Sequence, residues 1–524
     1  MNKSYLFKTK KTDIIQEVAL RKTKRRWAVL LLCLLLLTPT FAQTKDTTAI
    51  AEHQNKWNEV LKESRNNPAF MQDAFNTSIT RMGINFEHRD ANRHFQLETG
   101  TGHSLVNARV ASYLRLDKHN TVWGGASYQI GKKRNIRFNS TSDYELLYPY
   151  VMADTIGGNM ENEQYAFNGG YAVKLNQWTF GAKLDFRAEH EYRTIDPRPR
   201  GISTDITLRL GLAYDLQRYR LGVGIGGHTY KQTNNVDFYN PLGVIPEFHM
   251  TGLGTDYVRF AGAVRSAYYK GTGYIVDFQL TPLQESGCYA SIEENYMPYQ
   301  NILTELNALP ISQLNVYQTN AQIGWKHSGR LNWTAYSGVN YENRKGNEHI
   351  AGSSSSTEYK SLITLSMFSN RKTDLHIGGG LNMGTKHCIT LDARFGFIDE
   401  KSEYVDLKRE MAFTKSYGKL SGQWLWRSNT HWLFEWNGNA AYYHNNSKRI
   451  IMPYACMDKQ ITQLVNETYT AKTEHLWRLA TQIQICHTPE KWKGVGLFLN
   501  FGSEYSHTPT IHQIEINSSA GIVF

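Results

Sequence analysis

Residues 511–524 end the chain with Ile-His-Gln-Ile-Glu-Ile-Asn-Ser-Ser-Ala-Gly-Ile-Val-Phe. Every second residue back from Phe524 belongs to a mostly apolar set, and the residues between them form a mostly polar set. Because successive side chains of a strand point to opposite faces, the stretch predicts a strand with one apolar face. A soluble sheet over a core shows the same alternation. The rest of the chain favours a transmembrane strand, with lipid on one face and a wet lumen on the other.

The same alternation recurs along the chain from Asn76 onward. Residues 206–216 place leucines on one face and charged residues such as Arg209 on the other. Comparable stretches are residues 178–187, 331–341 and 495–505. Charges opposite an apolar face suit a water-filled lumen and are awkward between the sheets of a sandwich. We therefore predict an all-β fold, a closed antiparallel transmembrane β-barrel, because a sheet in lipid can leave no edge unpaired.

Connections between the predicted strands alternate in length, as short periplasmic turns and long extracellular loops do. Tight connections are predicted near residues 117–119, 175–177, 217–219, 270–273, 327–330, 370–373, 427–430 and 487–493. Long ones are predicted near residues 139–161, 192–202, 232–255, 286–312, 344–356, 400–408 and 445–469. We read residues 374–399 as one strand, and residues 100–103 as a glycine-supported bulge. These choices predict about 18 strands, within a range of 16–20.

Bulk composition is compatible with this fold. The chain is 41% hydrophobic with a mean hydropathy of −0.49. After the leader, no segment approaches the ~20 apolar residues of a membrane helix, whereas barrel strands need only alternate apolar residues. Residues 1–26 contribute +7 (nine basic minus two acidic residues), which leaves 11 − 7 = +4 for the remainder. That small excess does not predict a nucleic-acid partner.

The N-terminal residues predict a route for export. Lys24-Arg25-Arg26 precedes an apolar run from Trp27 to Leu37, and we place cleavage after Ala42. An uncleaved membrane anchor is the alternative. We therefore predict a signal peptide over residues 1–42, a periplasmic N-terminal segment with a short helix over 43–75 and a barrel over 76–524. For the middle segment we expect a tether, with insertion into the lumen as the alternative.

Two kinds of loop feature are candidates for the mouth of the barrel. The first kind is a loop that carries aromatic, acidic and basic side chains. The second is a predicted amphipathic helix over residues 300–309. The candidate residues are Tyr148, Tyr150, Asp154, Asp196, Arg198, Arg200, Leu303 and Leu306. Such elements narrow a pore if they fold inward. The alternatives are that the loops only pack on each other, or that their basic groups meet lipopolysaccharide phosphates.

No catalytic or metal motif is recognisable. The chain has no Gly-x-Ser-x-Gly and no His-Glu-x-x-His. The adjacent pairs His387-Cys388 and Cys486-His487 would point to opposite faces of a strand, so each is a poor chelate. We predict no enzymatic activity, no metal and no cofactor. The four cysteines after the leader are far apart, and their spacing specifies no disulfide.

Several short motifs resemble an uncharacterised outer-membrane β-barrel family typical of Bacteroidota, over residues 67–524. They are Asn67-Pro68-Ala69-Phe70, Tyr148-Pro149-Tyr150 with Asp154 and Gly157-Gly158, Asp196-Pro197-Arg198-Pro199, and the terminal Phe524. The Asn-Pro-Ala entry is also similar to that of hydrophobic-compound channels of the fatty-acid transporter type. Because the family has no assigned activity, the resemblance implies fold and outer-membrane location. By analogy with barrels generally, Phe524 is expected to belong to the signal read by the barrel-assembly machinery.

From these observations we expect a channel or transporter for an unidentified small solute. The alternative is a non-conducting scaffold or adhesion or assembly partner that acts through its extracellular loops. The expected partners are outer-membrane lipid and lipopolysaccharide, the barrel-assembly machinery and the solute, and no nucleic acid. The sequence names neither the solute nor the oligomeric state.

Overall fold

A computed structural model describes residues 47–240, 242–306, 308–351, 361–456, 459–492 and 494–524. The predicted signal peptide and its cleavage site lie outside these residues, as does part of the predicted long connection 344–356. Within the described ranges, no helix has both the length and the apolar character needed to cross a membrane.

Twenty-one strands are described, and eighteen of them form one sheet. The eighteen are β1 Ile79–Ala91, β2 Gly102–Arg115, β3 Asn120–Ile136, β5 Gly158–Leu175, β6 Trp178–Tyr192, β7 Arg198–Asp215, β8 Tyr219–Asp237, β11 Ser266–Pro282, β12 Gly287–Leu303, β13 Leu309–His327, β14 Asn332–Ala351, β15 Ser361–Met383, β16 His387–Tyr404, β17 Arg409–Arg427, β18 Trp432–Ile451, β19 Leu476–His487, β20 Gly496–His507 and β21 His512–Val523. Three short strands lie in the connections: β4 Met152–Ala153, β9 Phe248–Gly252 and β10 Thr255–Asp256.

The described helices are short and lie outside the sheet. The α-helices are α1 Thr48–Gln54, α2 Tyr144–Leu147 and α3 Gln460–Thr473. The 3₁₀ helices are Lys56–Glu59, Lys62–Asn66, Pro68–Met71, Leu97–Thr99, Val258–Phe260 and Glu490–Trp492.

The sheet closes on itself. Each of its strands pairs antiparallel with the next along the chain, and β1 pairs with β21 from Arg81↔Val523 to Ala91↔Gln513. Closure leaves no unpaired edge, which is the condition for a sheet in lipid. The prediction of an all-β, closed antiparallel barrel of about 18 strands is confirmed.

The two faces of the wall differ as the alternation predicts. On β7, Leu208 and Leu210 point outward and are each 48% exposed, whereas the intervening Arg209 points inward to Glu293, with its Nη1 2.7 Å from Oε2. An apolar outer face and a polar inner face are the properties of a barrel that crosses an outer membrane.

Several predicted strand boundaries are wrong. Residues 374–399 are not one strand, because β15 and β16 meet at a turn over residues 384–386, where Gly384 has φ +88°. A two-residue hairpin would reverse the apolar phase, and the unbroken phase therefore predicts a continuous strand. In the structure Met383 pairs with Ile389, and this even separation keeps both residues on the outer face.

The chain also turns between β1 and β2, where we predicted a continuous bulged strand. Residues 92–101 form the connection, and Leu97 packs into the barrel interior rather than continuing a strand face. Conversely, the predicted turns at 270–273 and 370–373 lie inside β11 and β15. Both stretches keep the alternation of a strand and need no turn: Gly271 and Gly273 face the lumen and alternate with the outward-pointing Lys270 and Thr272.

The predicted long loop 286–312 is also wrong. Strand β12 and its hairpin to β13 occupy most of it, and the predicted amphipathic helix over residues 300–309 does not form. Leu303 ends β12, and Leu306 lies in the turn that follows. The spacing of the leucines is equally compatible with a strand end that packs under a loop, so periodicity alone could not separate the two.

Candidate functional site

The connection between β3 and β5 folds into the barrel instead of over its outside. We call residues 137–157 the crossing loop. Its Leu147, Tyr150 and Met152 are at most 2% exposed and belong to one apolar cluster with inward-facing residues of β8, β11, β12, β13 and β15. The ring of Tyr148 packs edge-on against Phe368 of β15, with centroids 5.8 Å apart. Since β15 is eight strands from β5 in one direction and ten in the other, the loop spans the lumen.

An arginine on β14 binds the backbone of the crossing loop at its far end. The Nη2 of Arg344, on β14, donates to the carbonyl oxygens of Leu146 at 2.7 Å and Tyr148 at 2.9 Å. These bonds join the loop to a strand that follows it by almost two hundred residues in sequence. They are charge-assisted and therefore stronger than hydrogen bonds between neutral groups.

The near end is held by a second arginine. The carboxylate of Asp143 accepts hydrogen bonds from both Nη atoms of Arg187 on β6, at 2.7 and 2.9 Å. It also accepts one from the hydroxyl of Tyr230 on β8 at 2.9 Å. The two-point contact of a guanidinium with a carboxylate fixes orientation as well as distance. The loop is thus attached to the wall on both sides of the lumen.

Neighbouring outer connections supply a third set of contacts. Asp154 pairs with Arg193, between β6 and β7, and the Oγ of Ser140 lies 2.9 Å from Asp154 and 3.0 Å from Glu247. Burial, together with the nearby charge of Asp154, raises the pKa of Glu247 to about 8. Protonation of Glu247 is therefore favoured in this arrangement at neutral pH.

A further buried carboxyl meets the start of helix α2. Glu98, between β1 and β2, accepts the hydroxyl of Tyr144 at 2.7 Å. Burial raises the pKa of Glu98 to about 7, and the hydrogen bond from Tyr144 offsets part of that effect.

A cavity of about 310 Å³ adjoins the crossing loop near β14–β16. Its lining combines Tyr148 and Met250 with charged groups, among them Lys372 and the pair Lys472–Glu400, whose Nζ and Oε1 are 2.9 Å apart. Lys472 belongs to helix α3, so the connection between β18 and β19 also reaches this cavity. Such a lining has room for a few water molecules or a small solute that carries polar groups.

The other end of the barrel is lined by residues 47–75, which we call the lumen strap. Our expectation of a free tether is wrong. The strap begins at the β17–β18 turn, where the amide of Thr47 donates to Thr430 O at 3.1 Å. Helix α1 packs near β19–β21, and from Lys56 onward the strap contacts wall residues in descending strand order. These are Gln423 of β17, Lys326 of β13, Gln279 of β11, Ala213 of β7, Thr121 of β3 and Tyr113 of β2.

Where the lumen strap lies closest to the wall, the wall residues are glycines. A Cβ at Gly181, Gly211 or Gly222, on β6, β7 and β8, would overlap atoms of Pro68, Asn67 or Phe70 respectively. Asn67 is fully buried, and its Nδ2 donates to Gln279 at 2.9 Å while its Oδ1 accepts the amide of Ala69 at 3.0 Å. A backbone turn can lie this close to a sheet only where the wall has no side chains.

The sequence-predicted loop residues fall into three separate groups. Tyr148, Tyr150 and Asp154 all belong to the crossing loop. Asp196 accepts the amides of Tyr239 and Asn240 and pairs with Arg198, while Arg200 donates to His190. Leu303 and Leu306 pack with Val264, Leu309 and Ile311 under another outer connection. The structure therefore does not bring all eight together.

Residues that the sequence reasoning missed carry the contacts of the crossing loop. They are Arg187, Arg193, Glu247 and Arg344. The alternation along their strands places Arg187 and Arg344 on the inner face, so the sequence could have identified them as charged residues in the lumen. Nothing in their spacing indicated that their partners would be backbone and side chains of a loop from across the barrel.

The fold and its polar lumen define an outer-membrane β-barrel with segments packed inside it. Within that class, the chain belongs to the family of unknown function DUF6850, whose model matches residues 68–524. No curated protein matches the chain.

Several solved structures match most of the chain at low TM-scores. A mutant of the ferric enterobactin receptor PfeA from Pseudomonas aeruginosa has a TM-score of 0.36 and 7% identity, covering 84% of this chain and 80% of its own. The CymD monoaromatic hydrocarbon channel has a TM-score of 0.31 and 8% identity, with coverage of 93% and 97%. The ferric preacinetobactin receptor BauA from Acinetobacter baumannii has a TM-score of 0.36 and 7% identity, covering 84% of this chain and 80% of its own. Likeness at this level assigns no solute to the chain.

Proposed function

We propose that this outer-membrane barrel is a channel for a small polar solute and that the crossing loop is its gate. The observation that carries the proposal is the attachment of Leu146 and Tyr148 to Arg344 across the lumen. A segment that only needed to pack on the outer surface would have no reason to span the interior. Its hydrogen bonds to one arginine can also be broken without unfolding any strand.

The composition of the lumen supports a polar rather than an apolar solute. Inward-facing charges occur on strands all round the wall, for example Arg209 with Glu293 and Lys174 with Asp215. These ion pairs favour water in the lumen, and a barrel of 18 strands is wide enough for an aqueous path unless internal segments fill it. The inward-folded connections would then decide when that path is open.

Conductance of the purified full-length protein in planar bilayers tests the gate. We expect the wild-type protein to conduct rarely, and Arg344→Gln to conduct more often because the loop loses its charged donor. Arg330→Gln is the matched control, since Arg330 is exposed in a short turn and makes no ion pair within the described residues. Unchanged conductance in Arg344→Gln, with the variant correctly folded, would contradict the gating role.

The same experiment separates the channel from a scaffold. If wild type, Arg344→Gln and a variant lacking residues 140–156 all fail to conduct, the channel proposal fails and the non-conducting scaffold is favoured. Export through a signal peptide cleaved after Ala42 belongs to our proposal, as do assembly through the terminal Phe524 and contact of Arg198 and Arg200 with lipopolysaccharide phosphates.

A further inference from the structure

An arginine without a protein partner lies on the part of the wall that the crossing loop leaves free. Arg109 faces inward from the middle of β2 and is exposed to the lumen. Among the described residues it makes no ion pair and no side-chain hydrogen bond. In this respect it differs from Arg187, Arg209 and Arg220, which are all paired with carboxylates on the inner wall.

The surroundings of Arg109 are small and polar. It lines a cavity of about 350 Å³ on the inner face of β1, β2, β3 and β5. The lining includes Asn85, Asn107, Ser127 and Asn168, none of which forms a side-chain hydrogen bond within the described residues. Gly125 and Ala166 also line the cavity, and their small size leaves space beside these polar groups. Free amide and hydroxyl groups next to a free guanidinium offer several donors to one ligand.

The cavity lining holds one acid and one base, Glu87 and Arg109, which do not pair with each other. Glu87 is the one carboxylate in its lining, and the Nε2 of His103 lies 2.6 Å from its Oε1, so that this acid already has a partner. Arg81, which also faces inward from β1, adds a second positive charge to the same region. Within the described residues, no carboxylate lies within ion-pair distance of Arg109.

We propose that this cavity is the solute-binding site of the channel and that its ligand is a small organic or inorganic anion with a carboxylate or phosphate group. The guanidinium of Arg109 would hold two oxygens of the anion, because its planar fork matches a carboxylate or a phosphate. The amides of Asn107 and Asn168 and the hydroxyl of Ser127 would donate to the remaining polar atoms. This inference rests on the proposed channel and specifies its solute class.

Direct binding tests the site without requiring conduction. Equilibrium dialysis of the full-length protein in detergent would use radiolabelled acetate and inorganic phosphate in parallel, which distinguishes the two oxyanions. We expect saturable binding of at least one of them, weakened about tenfold or more in Arg109→Gln. Arg109→Lys should retain part of the affinity because it keeps the positive charge. It should lose the rest because an ammonium group cannot make the two-point contact of a guanidinium. Heat-dependent electrophoretic mobility checks that each variant is a folded barrel.

Arg89→Gln is the matched control, since Arg89 lies inward on the adjacent strand but already pairs with Glu515 at 2.8 Å. It should bind both anions as the wild type does. Equal loss of binding in both variants would overturn the site, because the effect would then be one of general lumen charge. Absence of saturable binding in the folded wild type would overturn it as well.

Ion selectivity separates failure of the site from failure of the channel. In an Arg344→Gln background, Arg109→Gln should shift the reversal potential in a potassium acetate gradient toward lower anion preference, while Arg89→Gln should not. A conducting protein whose selectivity and binding are unchanged by Arg109→Gln overturns the site and leaves the channel. Arg109-dependent binding in a protein that never conducts overturns the channel and leaves a binding site.

Discussion

Arg193 and Asp154 form a buried ion pair between two outer connections: Nη1 and Oδ2 are 3.1 Å apart, and the side chains are 2% and 0% exposed. Asp154 belongs to the crossing loop, and Arg193 follows β6. The pair therefore joins the segment that spans the lumen to the rim of the wall. Removing one partner of a buried pair leaves the other charge without compensation, which costs more than the pair itself contributes.

Asp154→Asn should loosen the crossing loop. With Arg193 left unpaired, the docked arrangement should lose about 3–5 kcal/mol. Hydrogen exchange of residues 140–157 should then become faster while exchange of the strands is unchanged. Asp196→Asn is the control, because the partners of Asp196 are Tyr239, Asn240 and Arg198, all outside the crossing loop. Equal exchange in the two variants would contradict a holding role for Asp154.

Docking of the crossing loop should depend on pH through Glu98 and Glu247. Their pKa values are raised from 4.5 to about 7 and about 8 in the docked arrangement, so this arrangement binds more protons than an undocked one. Docking should be most stable below about pH 4.5, weaken as pH rises to about 8 and stay constant above it. Hydrogen exchange of the loop, corrected for the intrinsic rate and followed from about pH 5 to pH 9, measures this directly.

Glu247→Gln should flatten the upper part of that dependence, because the amide keeps a polar group beside Ser140 and carries no charge. Glu145→Gln, an exposed position in the same loop, should leave the dependence as it is in the wild type. Docking that strengthens as pH rises would show that another group controls the loop.

Sequence alone predicted the wall well and the interior poorly, for a physical reason. A residue such as Leu208 must meet lipid wherever its strand stands in the barrel, so alternation reveals its face locally. Whether Tyr148 reaches Arg344, or Asn67 reaches Gly211, depends on which strands close opposite one another. That arrangement is set by the whole sheet, and no local pattern encodes it. The candidates in the crossing loop were found because the stretch is aromatic and marked by glycines, while their partners were missed.

The outer face of β7 can be tested by charge. Leu210→Arg should destabilise the barrel by about 2–4 kcal/mol if the residue lies near the bilayer midplane, because lipid cannot solvate the guanidinium. Thr207→Arg, three residues away on the inner face, should be tolerated. Urea-dependent unfolding in lipid vesicles compares the two. Similar losses of stability would contradict the assignment of faces.

Phe524 is expected to act in assembly, and the structure adds a second contribution at the same position. Its backbone amide donates to Thr80 O at 2.9 Å, and its carbonyl accepts the amide of Thr80 at 2.6 Å, which extends the β1–β21 seam by one rung. Deletion of Phe524 should therefore reduce the folded fraction in outer membranes more than Phe524→Ala, which keeps those bonds. Normal yield of the deletion variant would remove the terminal residue from both roles.

The glycine positions under the lumen strap predict a position-specific effect of one methyl group. Gly211→Ala should force Asn67 and Pro68 away from the wall at a cost of about 1–3 kcal/mol. Trypsin cleavage at Lys62 or Arg65 should then be faster in the folded protein. Gly227→Ala, on neighbouring β8, is the control because nothing lies within 4 Å of the added Cβ. Identical cleavage rates would mean that the turn adapts without leaving its position.

The circuit of the lumen strap has a mechanical consequence for the barrel. Because the same short segment is fastened near β17, β11, β7 and β2, any flattening of the cross-section would change the distances between its attachment points. The strap therefore acts as an internal brace for the cross-section of the barrel. It holds one end of the wall to a fixed outline, while the connections at the other end can be rearranged without that outline being lost.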